Sequence, residues 1–159
     1  MRLLIVRHGL ANWPSWGGTD AERPLNPEGI RLLQGEGARL AGLGLKPDLV
    51  LHSPLRRAQQ TAEILAEALA VEDRVRVWDG LRPGFNFKDL KKLLREFADR
   101  DEVMLVGHAP DVANVLKELT GGAVKFKEGT LALVKVDELD KDPEGTLLWL
   151  VPAEVLGAA

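Results

Sequence analysis

The stretch "MRLLIVRHGLANW" (residues 1–13) joins a short apolar run to an arginine and a histidine. Residues 3–6 are all apolar, which is typical of a strand covered on both faces of a sheet. Arg7, His8 and Gly9 follow directly. Two cationic or ionisable side chains are therefore predicted at the carboxyl end of a buried strand, and the rest of the chain is interpreted from that point.

Strand-like and helix-like segments alternate along the remaining sequence. Further strands are predicted at residues 47–54 and 74–78, at the start of residues 101–122, and in a hairpin over residues 130–151 with its turn at residues 140–145. Helices are predicted from Asn26-Pro27 to Gly42 or Gly44, from Ser53-Pro54, from Asn86 or Asp89 to Arg100, and up to Gly121-Gly122.

This alternation predicts an α/β protein. We expect a three-layer sandwich with a mainly parallel central sheet, helices on both faces and an antiparallel edge formed by the C-terminal hairpin. A chain of 159 residues fits one domain, so we predict a single domain over residues 1–159.

Composition limits the partners and the chemistry. The net charge is −3 and the pI about 5.7, so no overall basic field attracts nucleic acid or a membrane surface, and an anion site has to be local. The absence of cysteine excludes disulfides and thiolate catalysis, and three histidines in separate segments do not favour a zinc site. No apolar run suggests a membrane span or a signal peptide. We expect a cytoplasmic protein without a cofactor.

Three predicted strands end in residues that suit an anion. The first ends in Arg7-His8, the second leads into Arg56 and Arg57 in the first turn of a helix, and the fourth ends just before His108. Because the carboxyl ends of parallel strands meet at one edge, these side chains are predicted to surround one small volume. Guanidinium groups and helix N-termini bind phosphoryl oxygens, and a histidine kept neutral by arginines can act as a nucleophile. The pattern therefore indicates phosphoryl transfer without a metal.

Each element has a simpler interpretation when taken alone. The Arg-His pair could be a solvated surface pair, and His108 could be a buried histidine with satisfied hydrogen bonds. The convergence of three segments favours the phosphate site. His52 is expected to have a structural or surface role.

The four tryptophans divide into two pairs. Trp78 and Trp149 lie in strand contexts and are expected in the core. Trp13 and Trp16 lie in the long loop at residues 9–25, where they either wall the pocket or pack at the surface.

The chain resembles the histidine phosphatase superfamily, also called the phosphoglycerate mutase-like fold. The matching motifs are RHG at residues 7–9, SPLRRAQQTA at residues 53–62 and GHAP at residues 107–110, in the order found in the family. The likeness extends over most of the chain. An ordered set of three motifs is much more specific than RHG alone.

The resemblance implies roles for individual residues. His8 would become phosphorylated, Arg7 and Arg57 would bind the phosphoryl oxygens, and His108 would hydrogen-bond the transferring group. Arg56 falls at a variable position of the family, so it is left out of the predicted site.

Within the superfamily the chain is most similar to the short SixA-type phosphohistidine phosphatases. The interval from Arg57 to His108 lacks the longer insertion that covers the pocket in phosphoglycerate mutases and many small-metabolite phosphatases. An open pocket could admit a phosphorylated side chain of another protein.

The resemblance leaves the general acid open. Larger relatives have a glutamate after the third strand, where this chain has Asp79 and Gly80. An alkoxide leaving group needs a proton donor, whereas the imidazole of phosphohistidine can be protonated before the N–P bond breaks. Asp20, in the loop "GGTDAERPL" (residues 17–25), is a candidate donor or relay, and a turn residue in a flexible loop is an equal alternative.

The predicted function is a metal-independent phosphatase that forms a phosphate on His8 and hydrolyses it with water. The favoured substrate is phosphohistidine on a carrier protein. The alternatives are a phosphomonoesterase acting on a small metabolite or sugar phosphate and a non-catalytic phosphate-binding module. A mutase is disfavoured because an open pocket exposes the phosphoenzyme to water.

Overall fold

The computed structural model describes residues 1–139 and 141–157, in which six strands form one sheet. In chain order the strands are β1 (Arg2–Arg7), β2 (Leu49–His52), β3 (Val75–Val77), β4 (Glu102–Gly107), β5 (Leu131–Asp137) and β6 (Glu144–Val151). The α-helices are α1 (Pro27–Gly42), α2 (Arg56–Ala68), α3 (Phe87–Glu96), α4 (Asp111–Thr120) and α5 (Ala153–Leu156). Within the described residues, no helix is long and apolar enough to cross a membrane.

The sheet has the mixed character that the sequence predicts. Its strand order is β3-β2-β4-β1-β5-β6. Strand β4 is parallel to both β1 and β2, and β2 is parallel to β3. Strand β5 runs antiparallel to β1, and β6 runs antiparallel to β5. The prediction of a mainly parallel sheet with an antiparallel C-terminal hairpin is confirmed.

The turn of this hairpin differs from the predicted one. It was expected at residues 140–145, of which Asp140 lies outside the described residues. Glu144 and Gly145 already belong to β6 and pair with β5. The strand therefore begins earlier than the composition of the turn suggests.

Alternate side chains of β1 enter two separate apolar layers. Leu3 and Ile5 are fully buried in the layer that contains the apolar faces of α3 and α4. Leu4 and Val6 are fully buried in the layer that contains those of α1 and α2. Because β1 is covered on both faces, its sequence is continuously apolar rather than alternating.

Two helix starts show which capping predictions are correct. Helix α1 begins as predicted, since the Gly29 amide donates to Asn26 Oδ1 at 2.7 Å and Pro27 is the first helical residue. The prediction that Ser53-Pro54 caps α2 is wrong, because this helix begins at Arg56 without a side-chain cap. The Ser53 hydroxyl remains at the strand end, where it contacts the ring of a histidine described below.

The ends of α3 and α4 also test the sequence patterns. Helix α3 begins after Asn86, which forms a capping box, and ends at Glu96 rather than at Arg100. The chain turns there towards β4, and the amides of Asp101 and Glu102, at the start of that strand, donate to the carboxylate of Asp48. Helix α4 ends as predicted, before Gly121 with its positive φ of 78°.

Helix α1 places a carboxyl group inside an apolar layer. Glu36 has no exposed surface, and neither carboxyl oxygen has a hydrogen-bond partner among the described residues. Burial raises the pKa of Glu36 from 4.5 to about 8. The folded chain therefore keeps this carboxyl protonated at neutral pH.

Replacing Glu36 with methionine is expected to increase the free energy of unfolding relative to wild type, and the increase should grow as the pH rises. The unfolded chain loses the Glu36 proton near pH 4.5, whereas the folded chain keeps it to about pH 8. The free energy of unfolding of the wild-type chain therefore falls between these values. One pKa unit corresponds to about 1.4 kcal/mol, so methionine removes a penalty of a few kcal/mol at pH 8.

Urea unfolding at pH 5 and at pH 8 measures this effect. Glu28→Met, at an exposed position of the same helix, is the control and should follow the wild-type chain. If Glu36→Met is no more stable relative to wild type at pH 8 than at pH 5, the raised pKa is contradicted.

Candidate active site

Three strands end side by side at one edge of the sheet. Arg7 pairs with Gly107 in the register between β1 and β4, and β2 ends beside Val106. The ladder continues past the strand ends, because the His8 amide donates to the Gly107 carbonyl oxygen at 3.0 Å and the Ser53 amide donates to that of Val106 at 3.1 Å. The residues that follow the three strands therefore lie at the same level.

A cavity of about 330 Å³ opens at this edge. Its lining includes Arg7, His8, Asp20, Arg57 and His108. His8, Arg57 and His108 form a buried floor, with no more than 7% of any of the three residues exposed. Asp20 lies at the rim, where 67% of its side chain is exposed. The structure thus brings all the residues of the predicted site together around one cavity.

Two hydrogen bonds fix the proton on the His8 ring. Nδ1 lies 2.8 Å from the Gly9 carbonyl oxygen, which can only accept, so Nδ1 carries the proton. Arg57 Nε can only donate and lies 3.3 Å from Nε2. Burial, with the charges of Arg57 and Arg7, lowers the pKa of His8 from 6.5 to about 4. At neutral pH, His8 is a neutral imidazole with an unprotonated Nε2.

Asp20 holds the guanidinium of Arg57. Arg57 Nη1 donates to the Asp20 carbonyl oxygen at 2.8 Å, and Nη2 donates to its carboxylate at 3.2 Å. Arg23 Nη2 donates to the other carboxylate oxygen at 3.1 Å. The hydrogen bond from Arg23 and the charge of Arg57 lower the pKa of Asp20, so this carboxyl group is ionised at neutral pH.

Arg7 is held by the segment that leads into β5. Its Nη1 donates to the Phe126 carbonyl oxygen at 2.9 Å, and its Nη2 donates to Glu128 Oε1 at 3.2 Å. The Gly129 amide donates to the carbonyl oxygens of Arg7 and His8 at 3.1 and 3.0 Å. Arg7 Nε is buried and has no partner among the described residues, so its N–H group is left unsatisfied in this structure.

His108 lies beside His8 and has a separate hydrogen-bond partner. The two ring centroids are 5.2 Å apart, and His108 Nε2 is 2.8 Å from Ser53 Oγ. Burial, with the nearby His8 and Arg57, lowers the pKa of His108 from 6.5 to about 3. Both rings are neutral at neutral pH, so the charge of the cavity comes from its arginines and carboxylates.

The balance of charge suits an anion. Three guanidiniums, from Arg7, Arg23 and Arg57, face the carboxylates of Asp20 and Glu128. A larger cavity of about 590 Å³ lies between α2 and β3, and its lining includes three glutamates: Glu63, Glu67 and Glu72. Those carboxylates repel a phosphoryl dianion, so only the smaller of these two cavities suits it. No group of three or more histidine, aspartate or glutamate side chains among the described residues is arranged to hold a metal ion.

Three residues considered in the sequence lie apart from this cavity. His52 is buried and its Nδ1 bonds to the Ser53 carbonyl oxygen at 2.8 Å, in keeping with a structural role. Arg56 is exposed. Asp79 has 82% of its side chain exposed and pairs with Arg82 at 3.4 Å.

The four tryptophans lie neither in the lining of this cavity nor among the fully buried residues. Trp13 and Trp16 are 38% and 41% exposed, and each donates from its indole nitrogen to a carbonyl oxygen of the same loop. This is the surface packing that the sequence left as one alternative. Trp78 and Trp149 are only half buried against the two apolar layers, because they lie at the two edge strands of the sheet.

Sequence reasoning missed Asn12, Arg23 and Glu128, which also line the cavity. A signal for Glu128 was present, because a strand antiparallel to β1 has to begin where β1 ends. The residues just before β5 are therefore brought to the same edge. Arg23 had no comparable signal, since the short 3₁₀ turn at Asp20–Glu22 sets its position.

Comparisons with known proteins add an independent line of support. The profile of the histidine phosphatase superfamily (branch 1) matches residues 3–102. Phosphohistidine phosphatase SixA of Escherichia coli (strain K12) is 28% identical over 151 residues, which cover 94% of this chain and 92% of that protein. An uncharacterised protein of Picosynechococcus sp. (strain PCC 7002) is 36% identical over 124 residues, 77% of this chain and 74% of its own.

Similarity of fold extends over nearly the whole chain. The structure of the protein histidine phosphatase SixA complexed with tungstate superposes with a TM-score of 0.87 at 27% identity. The superposition covers 98% of this chain and 99% of the other. The similarity therefore includes the C-terminal hairpin, which lies beyond the residues matched by the profile.

Proposed function

Because this chain belongs to the histidine phosphatase superfamily and is a phosphatase, we propose that it hydrolyses protein phosphohistidine through a phosphate carried on His8. The observation that carries the proposal is the state of the His8 ring, which is neutral and has an unprotonated Nε2 beside Arg57. A nitrogen needs a lone pair to attack phosphorus, and a protonated Nε2 would have none.

The proposed reaction has two displacements. In the first, the His8 Nε2 lone pair forms a bond to phosphorus while the bond from phosphorus to the substrate imidazole breaks. The departing imidazole leaves with a proton taken from solvent before or during the step. In the second, water attacks the phosphorus of phospho-His8, loses a proton to solvent, and releases inorganic phosphate and the original His8.

Charge neutralisation comes from side chains in this scheme, which is why no metal is invoked. Arg57 and Arg7 offer N–H groups to the phosphoryl oxygens, and the buried Nε of Arg7 has no other partner among the described residues. His108, with its ring 5.2 Å from that of His8, would donate to the same group. Fixed donors of this kind stabilise the transferring phosphoryl group without reorganisation.

The scarcity of proton donors is what favours phosphohistidine over an alkyl phosphate. Asp20 is ionised because Arg23 and Arg57 lower its pKa, which favours a positioning role over proton donation. Asp79 is exposed and paired with Arg82. Gly80 lies where larger relatives have a glutamate. A side chain there would collide with Trp78, since a Cβ would lie 2.0 Å from its ring. An imidazole leaving group tolerates such a site far better than an alkoxide does.

We predict a marked preference for phosphohistidine in a direct comparison of kcat/KM values. The substrates are a phosphotransfer protein phosphorylated on histidine and a simple alkyl phosphate. The preference is expected to be at least roughly 100-fold, the typical contribution of a general acid that alkyl phosphate cleavage would lack. The assay is run with and without EDTA, and equal rates are expected.

The opposite preference would make the chain a phosphomonoesterase for small molecules. Asp20→Asn and Asp79→Asn would then identify which carboxyl group supplies the proton. A loss of activity in EDTA would contradict the metal-independent scheme.

A further inference from the structure

Glu128 is a charged residue of the cavity to which the proposed phosphoryl transfer assigns no role. Its Oε1 lies 3.2 Å from Arg7 Nη2, and it lines the same cavity as His8. A carboxylate inside an anion site repels the anion that the site is built to bind. Its position beside an arginine that is expected to bind phosphate therefore has a functional consequence.

The hydrogen bonds of Arg7 show what Glu128 competes for. A guanidinium has five N–H bonds, of which the Phe126 carbonyl oxygen takes one on Nη1 and Glu128 takes one on Nη2. The buried Nε–H has no partner among the described residues. A bidentate contact uses neighbouring N–H groups, so an anion that binds the Arg7 guanidinium in this way meets the Glu128 carboxylate at Nη2.

The backbone around Glu128 is held at the edge of the cavity. The Gly129 amide is bound to the carbonyl oxygens of Arg7 and His8, and the Thr130 amide is bound to that of Lys127. Gly129 has a φ of 76°, and a Cβ there would lie 2.6 Å from that of Ala153. Because this backbone is fixed, the Glu128 carboxylate can leave Arg7 only by rotation about its own side-chain bonds, so it remains within reach of the cavity after an anion binds.

We propose that Glu128 is a positioning residue that orients Arg7 in the empty site and weakens the binding of the product, inorganic phosphate. The carboxylate holds Nη2 before the substrate arrives, and it competes with orthophosphate for the same group after hydrolysis. Product release is faster as a result. This inference rests on the proposed function only in taking inorganic phosphate as the product.

Titration with inorganic phosphate tests the competition without requiring turnover. Glu128→Gln keeps an oxygen that accepts from Arg7 Nη2 but removes the charge. We expect it to bind phosphate roughly tenfold more tightly than wild type, the effect of removing one charge about 5 Å from a dianion in a water-filled site. Isothermal titration calorimetry measures the dissociation constants, and the inhibition constant for phosphate should fall by the same factor.

A matched control is Glu154 of α5, whose partner Lys127 directly precedes Glu128. Glu154 pairs with Lys127 at 3.0 Å, one residue before Glu128, and both side chains of that pair are more than half exposed. Glu154→Gln therefore removes the same charge from an ion pair at the surface. It should bind phosphate as the wild-type chain does.

The orienting role has its own readout. In Glu128→Ala nothing accepts from Nη2 at this position, so its kcat should fall several-fold below that of Glu128→Gln, while phosphate still binds more tightly than in wild type. Equal kcat values for the two variants would overturn the orienting role. Phosphate affinity in Glu128→Gln that equals or falls below that of wild type would overturn the competition. Failure of the wild-type chain to turn over phosphohistidine would instead count against the proposed function.

Discussion

Replacing His8 with alanine is expected to abolish turnover, with a fall in kcat/KM of at least about 10⁴-fold. In the proposed mechanism the Nε2 lone pair of His8 is the only group that bonds to phosphorus before water does. Arg7, Arg57 and His108 remain in the variant, so the cavity keeps its positive charge. Phosphate binding should therefore persist while phosphate release from a phosphohistidine protein is lost.

His52 offers a closely matched control for this variant. His8 directly follows β1, and His52 is the last residue of β2. Both are 7% exposed, and the Nδ1 of each bonds to the carbonyl oxygen of the next residue at 2.8 Å. His52→Ala should thus share the structural cost of His8→Ala but keep most of its activity. Substantial phosphate release by His8→Ala would show that another group is the nucleophile.

Replacing Arg57 with alanine is expected to lower kcat/KM roughly 10³-fold, in the range found when one charged donor is removed from a transition state. Arg57 contacts His8 Nε2 and is anchored by two hydrogen bonds to Asp20. The variant therefore loses a phosphate ligand, the neighbour that helps keep His8 unprotonated, and the tie to the loop at residues 9–25. Steady-state kinetics on a phosphohistidine protein measures the effect.

Two variants separate the contributions to the Arg57 effect. Arg57→Lys restores the charge but not the planar fork, and should remain roughly 100-fold below wild type. Arg56→Ala removes a guanidinium from the adjacent, exposed position of the same helical turn and should change kcat/KM by no more than about twofold. Equal losses for Arg56→Ala and Arg57→Ala would contradict the assignment of Arg57 to the phosphate clamp.

The architecture was largely predictable because strong local patterns and topology agree. The apolar run of β1, the Asn26-Pro27 start of α1 and Gly121 after α4 each specify their element, and the alternation of strands and helices favours parallel pairing. Parallel pairing then forces the strand ends, with His8 and His108, to one edge. The convergence of these residues therefore followed from the sequence once the sheet was inferred.

The features that could not be predicted depend on tertiary contacts. Helix α2 begins at Arg56 rather than at Ser53, and the Ser53 hydroxyl contacts His108 Nε2, which is distant in sequence. The ionised state of Asp20 depends on Arg23 and Arg57 reaching it together. Neither contact leaves a periodic or compositional trace in the sequence.

Two carboxyl groups are also among the features that were not predicted. Glu36 lies three residues after Leu33 and four before Leu40, so helical spacing places it on the buried face of α1, but only the packing around the helix shows that it has no exposed surface. Glu128 required knowledge that β5 is antiparallel to β1. Glu36 places a protonated carboxyl group in an apolar layer, whereas Glu128 adds a carboxylate to the phosphate cavity.

If the phosphoryl group passes through His8, mapping the phosphoenzyme will detect it there. The enzyme is mixed with a phosphohistidine protein, quenched in alkali over a series of millisecond intervals, and digested for mass spectrometry under conditions that preserve N–P bonds. We expect an acid-labile phosphate on His8 that rises and decays within a turnover and is absent from His8→Ala. Phosphate on a different residue, or repeated turnover without phosphate on His8 at any interval, would contradict transfer through His8.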